Sequence, residues 1–435
     1  MKRNEMVWLR KWKQSPNRKP LIVKGARQVG KTWLLREFGQ SEYQQTAYVN
    51  FESNAVLKSL FKADFDINRI LTAIRIETGI RVEPATTLLI FDEIQEAQGG
   101  LTALKYFYEN APEYHLVSAG SLLGVALNGN DSFPVGKVDF LDLHPFDFIE
   151  FLEACKENAL SDLLKTHDWE LIKGFSHRYI ERLRQYYYVG GMPEVVASFS
   201  ENNDFKAVRE IQQRILTAYD QDFSKHAPNQ IVPRIRMLWN SIPAQLAKEN
   251  RKFVYGIIRQ GARAKDYELA MSWLIDCGLV YKVNNVTKPT FPLKGYEEFG
   301  AFKLFVVDIG LLSAMSGLNV KSILEKNIVL QEFKGALTEQ YVLQQLIAQK
   351  EAITYYWSPD HARMEIDFLL QIDSQIVPLE VKAEENLKSK SLRTYYEKYG
   401  PKNAIRTSLS DFRQQDWMTN LPLYAIHELT KLVLG

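Results

Sequence analysis

Cysteine is nearly absent from this chain: two in 435 residues, Cys155 and Cys277, neither with a partner at metal-ligand spacing. That excludes a disulfide framework and a cysteine-built zinc site, and it points to buried thiols in a reducing compartment. Long hydrophobic runs are missing too. No stretch approaches the roughly eighteen apolar residues of a membrane span, and the opening MKRNEMVWLRKWKQ lacks the apolar core of a signal peptide. The expectation is a cytoplasmic protein with no membrane span. Charge of one sign is also lacking: 54 Lys and Arg against 52 Asp and Glu leave +2, so the total names no partner. There is no low-complexity tract and no obvious repeat. What remains, 46% apolar and 24% charged, is ordinary globular composition with material for two or three domains.

Residues 21 to 35, LIVKGARQVGKTWLL, carry the sharpest signal. Gly25-Ala26-Arg27-Gln28-Val29-Gly30-Lys31-Thr32 is a phosphate-binding loop set between an apolar strand-like run and a helix-like run, the context that gives the motif meaning. Its glycines let successive amides face one anion. Lys31 reaches the β- and γ-phosphates, and Thr32 offers a hydroxyl to Mg2+. ATP and Mg2+ are therefore the expected ligands. A second motif, Thr87-Leu88-Leu89-Ile90-Phe91-Asp92-Glu93, is an apolar strand ending in two acids. Asp92 is the expected outer ligand of Mg2+, and Glu93 is placed to polarise a water for in-line attack on the γ-phosphate. A small-molecule kinase needs no such glutamate, so the pair favours hydrolysis.

Alternating strand and helix patterns over the first ~145 residues predict a mostly parallel sheet with helices on both faces. The strands are Thr46 to Phe51, Thr87 to Glu93, His115 to Ser121 and Lys137 to Leu143, with helices over Ile67 to Glu77 and Leu101 to Asn110. Ser118 and Ser121 each have two readings, γ-phosphate sensor or turn-capping hydroxyl. From Phe146 to about Ser224 the pattern is helical, a lid interrupted at Gly190-Gly191-Met192-Pro193, where Pro193 suits a helix start.

Pro228 and Pro233 mark a boundary. Beyond it, helices over Ile235 to Leu246, Phe253 to Ile258 and Asp266 to Asp276, then a ribbon (Leu279 to Val283, Lys303 to Val307), outline a winged helix, which serves either as a DNA reader or as a protein spacer. Residues 231 to 266 hold eight basic side chains (Arg234, Arg236, Lys248, Arg251, Lys252, Arg259, Arg263, Lys265) against Glu249 and Asp266. That stretch is a phosphate-facing patch or a solvated helix face.

The last hundred residues hold a separate ionisable set. On the helix Phe333 to Ile347, Glu339 projects into the apolar arc, a costly place for a carboxylate unless it binds metal or pairs, with Arg363 available. Met364 to Leu370 and Ile376 to Lys382 read as adjacent strands, so Asp367, Glu380 and Lys382 converge at one end of a hairpin. With Glu339, the two carboxylates can hold Mg2+ while Lys382 orients water. Asp followed thirteen residues later by Glu-x-Lys resembles the PD-(D/E)xK nuclease superfamily, although Ile366 stands where proline is usual.

Taken together, the phosphate-binding loop, Phe91-Asp92-Glu93-Ile94-Gln95, Ala119-Gly120-Ser121, Leu143-His144-Pro145-Phe146 with Phe148 through Phe151, Gly190-Gly191-Met192-Pro193-Glu194, Lys303 to Leu312 and Glu380-Val381-Lys382 resemble prokaryotic AAA-type ATPases related to the archaeal ATPase family. These carry a C-terminal region of unknown function with winged-helix and nuclease-like parts. The resemblance implies an α/β multidomain chain: an AAA-type core and helical lid over 1–226, a winged-helix-like domain over 227–325, and a restriction-endonuclease-like domain over 326–435. It implies ATP hydrolysis, a homo-oligomer or protein partner, and DNA or RNA as a ligand of 231–266 and the C-terminal domain. The alternative is a nucleotide-gated interaction switch whose C-terminal domain cuts nothing. One departure is Gly136-Lys137, where the family has Gly-Arg; Lys137 keeps the charge and loses the fork.

Overall fold

The structure is a computed structural model that describes residues 1–121, 134–248, 252–324, 331–359, 364–384 and 389–435. Glu249, Arg251 and Arg363 lie outside the described residues. The chain divides into two compact units, Met1–His144 with Asp276–Leu279, and Pro145–Ile275 with Val280–Gly435.

The first unit is built on five parallel strands: β1 (Leu21–Lys24), β2 (Gln45–Asn50), β3 (Thr87–Asp92), β4 (His115–Ala119) and β5 (Asp139–Asp142). Their order is β2-β3-β4-β1-β5, so β4 lies between the loop strand and the Asp92 strand. All six residues of β3 are buried, which is why it reads as an unbroken apolar run. Its inner face feeds a cluster of Ile22, Val49, Phe51, Phe91, Leu104 and Phe107, with Phe51 and Phe91 edge to face at 5.3 Å. The expected helix over Ile67 to Glu77 is present as Ile67–Thr78, started by the Asp66 side chain, which accepts from the Arg69 amide at 2.7 Å. Because every strand is parallel, the loop after β1, Asp92 at the end of β3 and the turn after β4 share one carboxyl edge. The registers Val23↔Ala119 and Asp92↔Ala119 set them level.

The second unit begins with helices, among them Ser176–Val189, Pro193–Asn202 and Phe205–His226. The second of these starts at Pro193, as its fixed φ favours. Helices Val232–Leu246, Tyr255–Ile258 and Ala264–Asp276 follow, then β6 (Val280–Val286) and β7 (Glu297–Val306). The middle helix is shorter than its apolar pattern predicts, because the Phe253 amide donates instead to Phe302 O at 2.8 Å. The ribbon β6–β7 is not isolated. With β8 (Ile353–Trp357), β9 (Ile366–Ile372), β10 (Gln375–Val381), β11 (Ile405–Ser408), β12 (Arg413–Gln414) and β13 (Thr419–Pro422) it forms one mixed sheet, ordered β12-β13-β11-β10-β9-β8-β6-β7.

A polar junction ties this unit together. Asp308 is fully buried and caps the helix Ile309–Met315, accepting from the Leu311 amide at 3.0 Å. Its other oxygen accepts from the Gly191 amide at 2.6 Å and from Gln344 Nε2 at 3.2 Å. Gly190 (φ 75°) has no room for a side chain, since a Cβ would sit 2.2 Å from Asp308 Oδ1. The helix Gln331–Gln349 adds three buried glutamines. Gln340 exchanges two bonds with the backbone of Val306, Gln344 accepts from the Ile309 amide and Gln345 from the Phe148 amide. Each satisfies backbone groups that burial would otherwise leave without partners.

Cys277 is buried and Cys155 half-buried, both free, each just past a helix end rather than inside one. Burial pushes the Cys155 thiol up to about 11. Among the described residues no helix is long and apolar enough to cross a membrane.

Burial raises the Asp308 carboxyl from 3.8 to about 6, and its amide donors offset only part of that. The folded chain thus holds this proton more tightly than the unfolded one. The resulting stability is full below the unfolded value and is lost as pH rises through the folded value. Asp308→Asn removes the titration. Measured by urea unfolding, the wild-type advantage over the variant is expected to grow by on the order of 2–3 kcal/mol between about pH 7 and about pH 4.

Candidate functional site

The loop after β1 is shaped by backbone that only certain residues tolerate. Gly25 adopts φ 144° and a Cβ there would fall 2.2 Å from Leu143 O, so the carbonyl of the neighbouring strand end reserves this place for glycine. Gly30, at φ 91°, is the last residue before the helix Lys31–Glu42. Ala26 and Val29 are buried and hold the loop down where it leads into the helix N-terminus, a place suited to anions. Lys31 turns inward: Nζ donates to Gly25 O and Ala26 O, 2.9 Å each. Burial pushes its ammonium down to about 8, against the pull of Glu93 and Asp92.

The two motifs meet. Thr32 Oγ1 donates to Asp92 Oδ2 at 2.8 Å across sixty residues of chain. The same oxygen accepts from Tyr48 OH at 2.7 Å, and the Arg36 guanidinium lies 3.9 Å from the Tyr48 ring centre. Burial, then the bond to Asp92, raises the Tyr48 phenol. Tyr48 was not singled out in the sequence; its alternation with Asn50 on β2 was the available signal. Thr32 and Asp92 present a hydroxyl and a carboxylate oxygen, the kind of oxygen ligand that Mg2+ takes.

Glu93 sits in left-handed backbone, φ 50° and ψ 47°, a strained place for this residue just past the end of a buried strand. Its Oε2 accepts from Gln95 Nε2 at 2.6 Å and from the amide and hydroxyl of Ser121, both at 3.1 Å. Ser118 plays a different part. Its hydroxyl donates to Leu21 O at 3.0 Å, cross-linking β4 to β1 within the buried sheet. Lys137 is engaged by Glu109 at 3.1 Å.

The C-terminal set is arranged as ion pairs. Glu339 is 1% exposed, as the helical periodicity implies, and its neighbour is Lys303 of β7 at 3.6 Å. Lys303 is itself fully buried, 2.5 Å from Glu365 and 4.9 Å from the Tyr356 ring centre. Periodicity does not pair this lysine with them, because Glu339 comes from a distant helix, Glu365 from the residue before β9 and Tyr356 from β8. On the hairpin, Leu379↔Phe368 places Glu380 one step on, opposite Asp367. Asp367 Oδ2 accepts from the Val381 amide at 2.8 Å, while Glu380 Oε1 lies 2.7 Å from Lys382 Nζ. Glu380 also faces Arg406 in the register with β11. Among the described residues, no three His, Cys, Asp or Glu side chains gather to hold a metal ion. In the basic stretch, Arg236 is committed to Asp220 at 2.8 and 3.0 Å, whereas Arg259, Arg263 and Lys265 are exposed.

Residues 17–152 match the AAA domain family; residues 180–322 and 334–426 match two families described as domains of unknown function (DUF8612 and DUF4143). No curated protein matches the chain. Among solved structures, it is similar to a Walker-type ATPase of Pyrococcus abyssi, at 17% identity and TM-score 0.47 over 72% of this chain and 95% of that one. It is also similar to the Orc1 protein of Aeropyrum pernix in complex with DNA, at 12% identity and TM-score 0.29 over 73% and 93%. The Drosophila origin recognition complex bound to DNA gives 12% and 0.26 over 72% and 84%. The match over residues 17–152, with the loop, the lysine and the Asp92–Glu93 strand end built as described, supports an AAA-type P-loop ATPase domain that binds nucleotide.

Proposed function

We propose that the chain is an Mg-dependent ATPase whose nucleotide cycle is coupled to a nucleic-acid-binding module in the C-terminal half. The observation that carries the ATPase reading is the Thr32–Asp92 hydrogen bond, which joins two motifs sixty residues apart at one sheet edge. In this reading the loop amides of residues 25 to 32 receive the phosphates, and Lys31 leaves the Gly25 and Ala26 carbonyls for the β- and γ-oxygens. Thr32 and Asp92 would hold Mg2+, which would supply charge neutralisation across the phosphates when bound. Glu93, freed from Ser121 and Gln95, turns to the attacking water and accepts its proton. The resting tether keeps that carboxylate off water until nucleotide has rearranged the edge.

A second reading, a nucleotide-gated interaction switch with a non-cutting C-terminal domain, is favoured by the ion pairs there. Lys303 neutralises Glu339 and Glu365, and Lys382 neutralises Glu380, so those carboxylates already have internal cations. A nuclease site of Glu339, Asp367, Glu380 and Lys382 would have to break these pairs to admit a metal ion.

Three outcomes are expected. Lys31→Ala loses ATP turnover and binding, while Glu93→Gln keeps nucleotide affinity and loses turnover by roughly 10²–10⁴-fold, read by phosphate release and nucleotide titration; turnover surviving in Lys31→Ala rejects the assignment. Ser121→Ala loosens Glu93 and raises basal turnover several-fold, whereas a fall in turnover would make Ser121 a water-orienting group instead. Mn2+ titrated into a Thr32→Ala/Asp92→Ala variant shows no binding and no strand cleavage if the switch reading holds. Mn2+ binding that disappears on adding Asp367→Ala supports the nuclease.

A further inference from the structure

Between the helix Ala264–Asp276 and the hairpin β6–β7 lies a cleft of about 510 Å³ that no motif explains. Tyr255, Phe299 and Phe302 supply aromatic rings to it, Met271 an apolar thioether, and Glu268 and Lys282 one charge of each sign. The volume is within the range of small-ligand sites. Phe302 is buried and fixed by stacking on Phe253, centroids 5.2 Å apart, and the Lys282 ammonium lies 4.5 Å from its ring centre. Phe299 is different. It is 74% exposed, a large aromatic left in water at the mouth of a cleft.

The approach to the cleft is cationic. Arg259, Arg263 and Lys265, on the turn and first turn leading into the helix, are exposed and form no ion pair among the described residues. The exposed face of the helix, however, is poorly suited to a duplex groove. After Lys265 it presents Glu268, Leu269 and Ser272, with Leu269 71% exposed, in place of the Arg, Asn and Gln that read base edges. Glu268 repels the phosphates of a duplex held there, and it repels an acidic peptide drawn by the three cations. A carboxylate beside aromatic rings instead accepts hydrogen bonds from an exocyclic amino group on a base already out of its stack.

We propose that this cleft takes unstacked bases of a single-stranded nucleic acid. Rings stack on Phe299 and Tyr255, Glu268 accepts from an exocyclic amine, and Arg259, Arg263 and Lys265 meet the flanking phosphates. This rests on the reading that the C-terminal half binds nucleic acid, and it adds the strand form and a base preference. Thymine has no exocyclic amine, so cytosine-rich strands bind better than thymine-rich ones.

The test is fluorescence anisotropy on the full-length protein with labelled oligo-dC, oligo-dT and a duplex. Oligo-dC is expected to bind most tightly, and Phe299→Ala, a change at an exposed position that leaves the core intact, weakens it by roughly tenfold or more. Glu268→Ala abolishes the preference for dC over dT, and Arg263→Ala lowers the salt slope by about 0.7. Oligonucleotide binding that is indifferent to both Phe299→Ala and Glu268→Ala, or that favours the duplex, overturns the cleft assignment while sparing the broader reading. No binding of any oligonucleotide removes both. Capture of a polyglutamate peptide, weakened by Phe299→Ala in the absence of oligonucleotide binding, assigns the cleft to a protein and overturns the proposal.

Discussion

One carboxylate oxygen organises the first unit's chemistry. Asp92 Oδ2 accepts from Thr32 and from Tyr48, and so locks the loop helix, β2 and β3 to one another at the sheet's carboxyl edge. A charge-assisted bond in a place this buried is worth more than its surface equivalent and is costly to leave half made. The arrangement also fixes where the neighbouring Glu93 must emerge, in a backbone conformation that β-branched residues avoid. Strain in that one residue goes together with three donors, from Gln95 and Ser121, that hold its carboxylate against the turn after β4.

The second unit relies on a different device. Its packing brings polar backbone into the interior at helix starts and strand edges, and the helix Gln331–Gln349 answers with side-chain amides instead of apolar bulk. Asp308 does the same with a charge, which burial makes expensive and four donors make tolerable. The glycine pair at 190–191 then follows as a steric requirement: Gly191 presents its amide to that carboxylate, and a Cβ on it would strike Phe146 O at 2.2 Å.

Much of this was legible where the causes are local. The loop could be read because strand, glycines, lysine and helix are contiguous, and the parallel sheet because β3 carries the apolar run Leu88 to Phe91 between helical patterns. The burial of Glu339 followed from its angle on the helix. Its partner did not, since Lys303 reaches it from another element and nothing in periodicity pairs residues across the fold. Gln340, Gln344 and Gln345 were illegible for a related reason: amide side chains read as solvent-facing until the backbone they serve is known. Ser118 and Ser121 each read equally as sensor or cap, and only their partners tell them apart: Leu21 O for Ser118 and Glu93 for Ser121.

The borders of the large sheet have a consequence of their own. An outermost strand usually offers a row of open amides and carbonyls to any passing segment. Here one margin, β12, is two residues long, and at the other, β7, Phe253 takes the carbonyl of Phe302 while the Gln340 amide takes both groups of Val306. Neither border invites strand-by-strand growth. A strand added at those β7 positions would have to break bonds already made inside the fold.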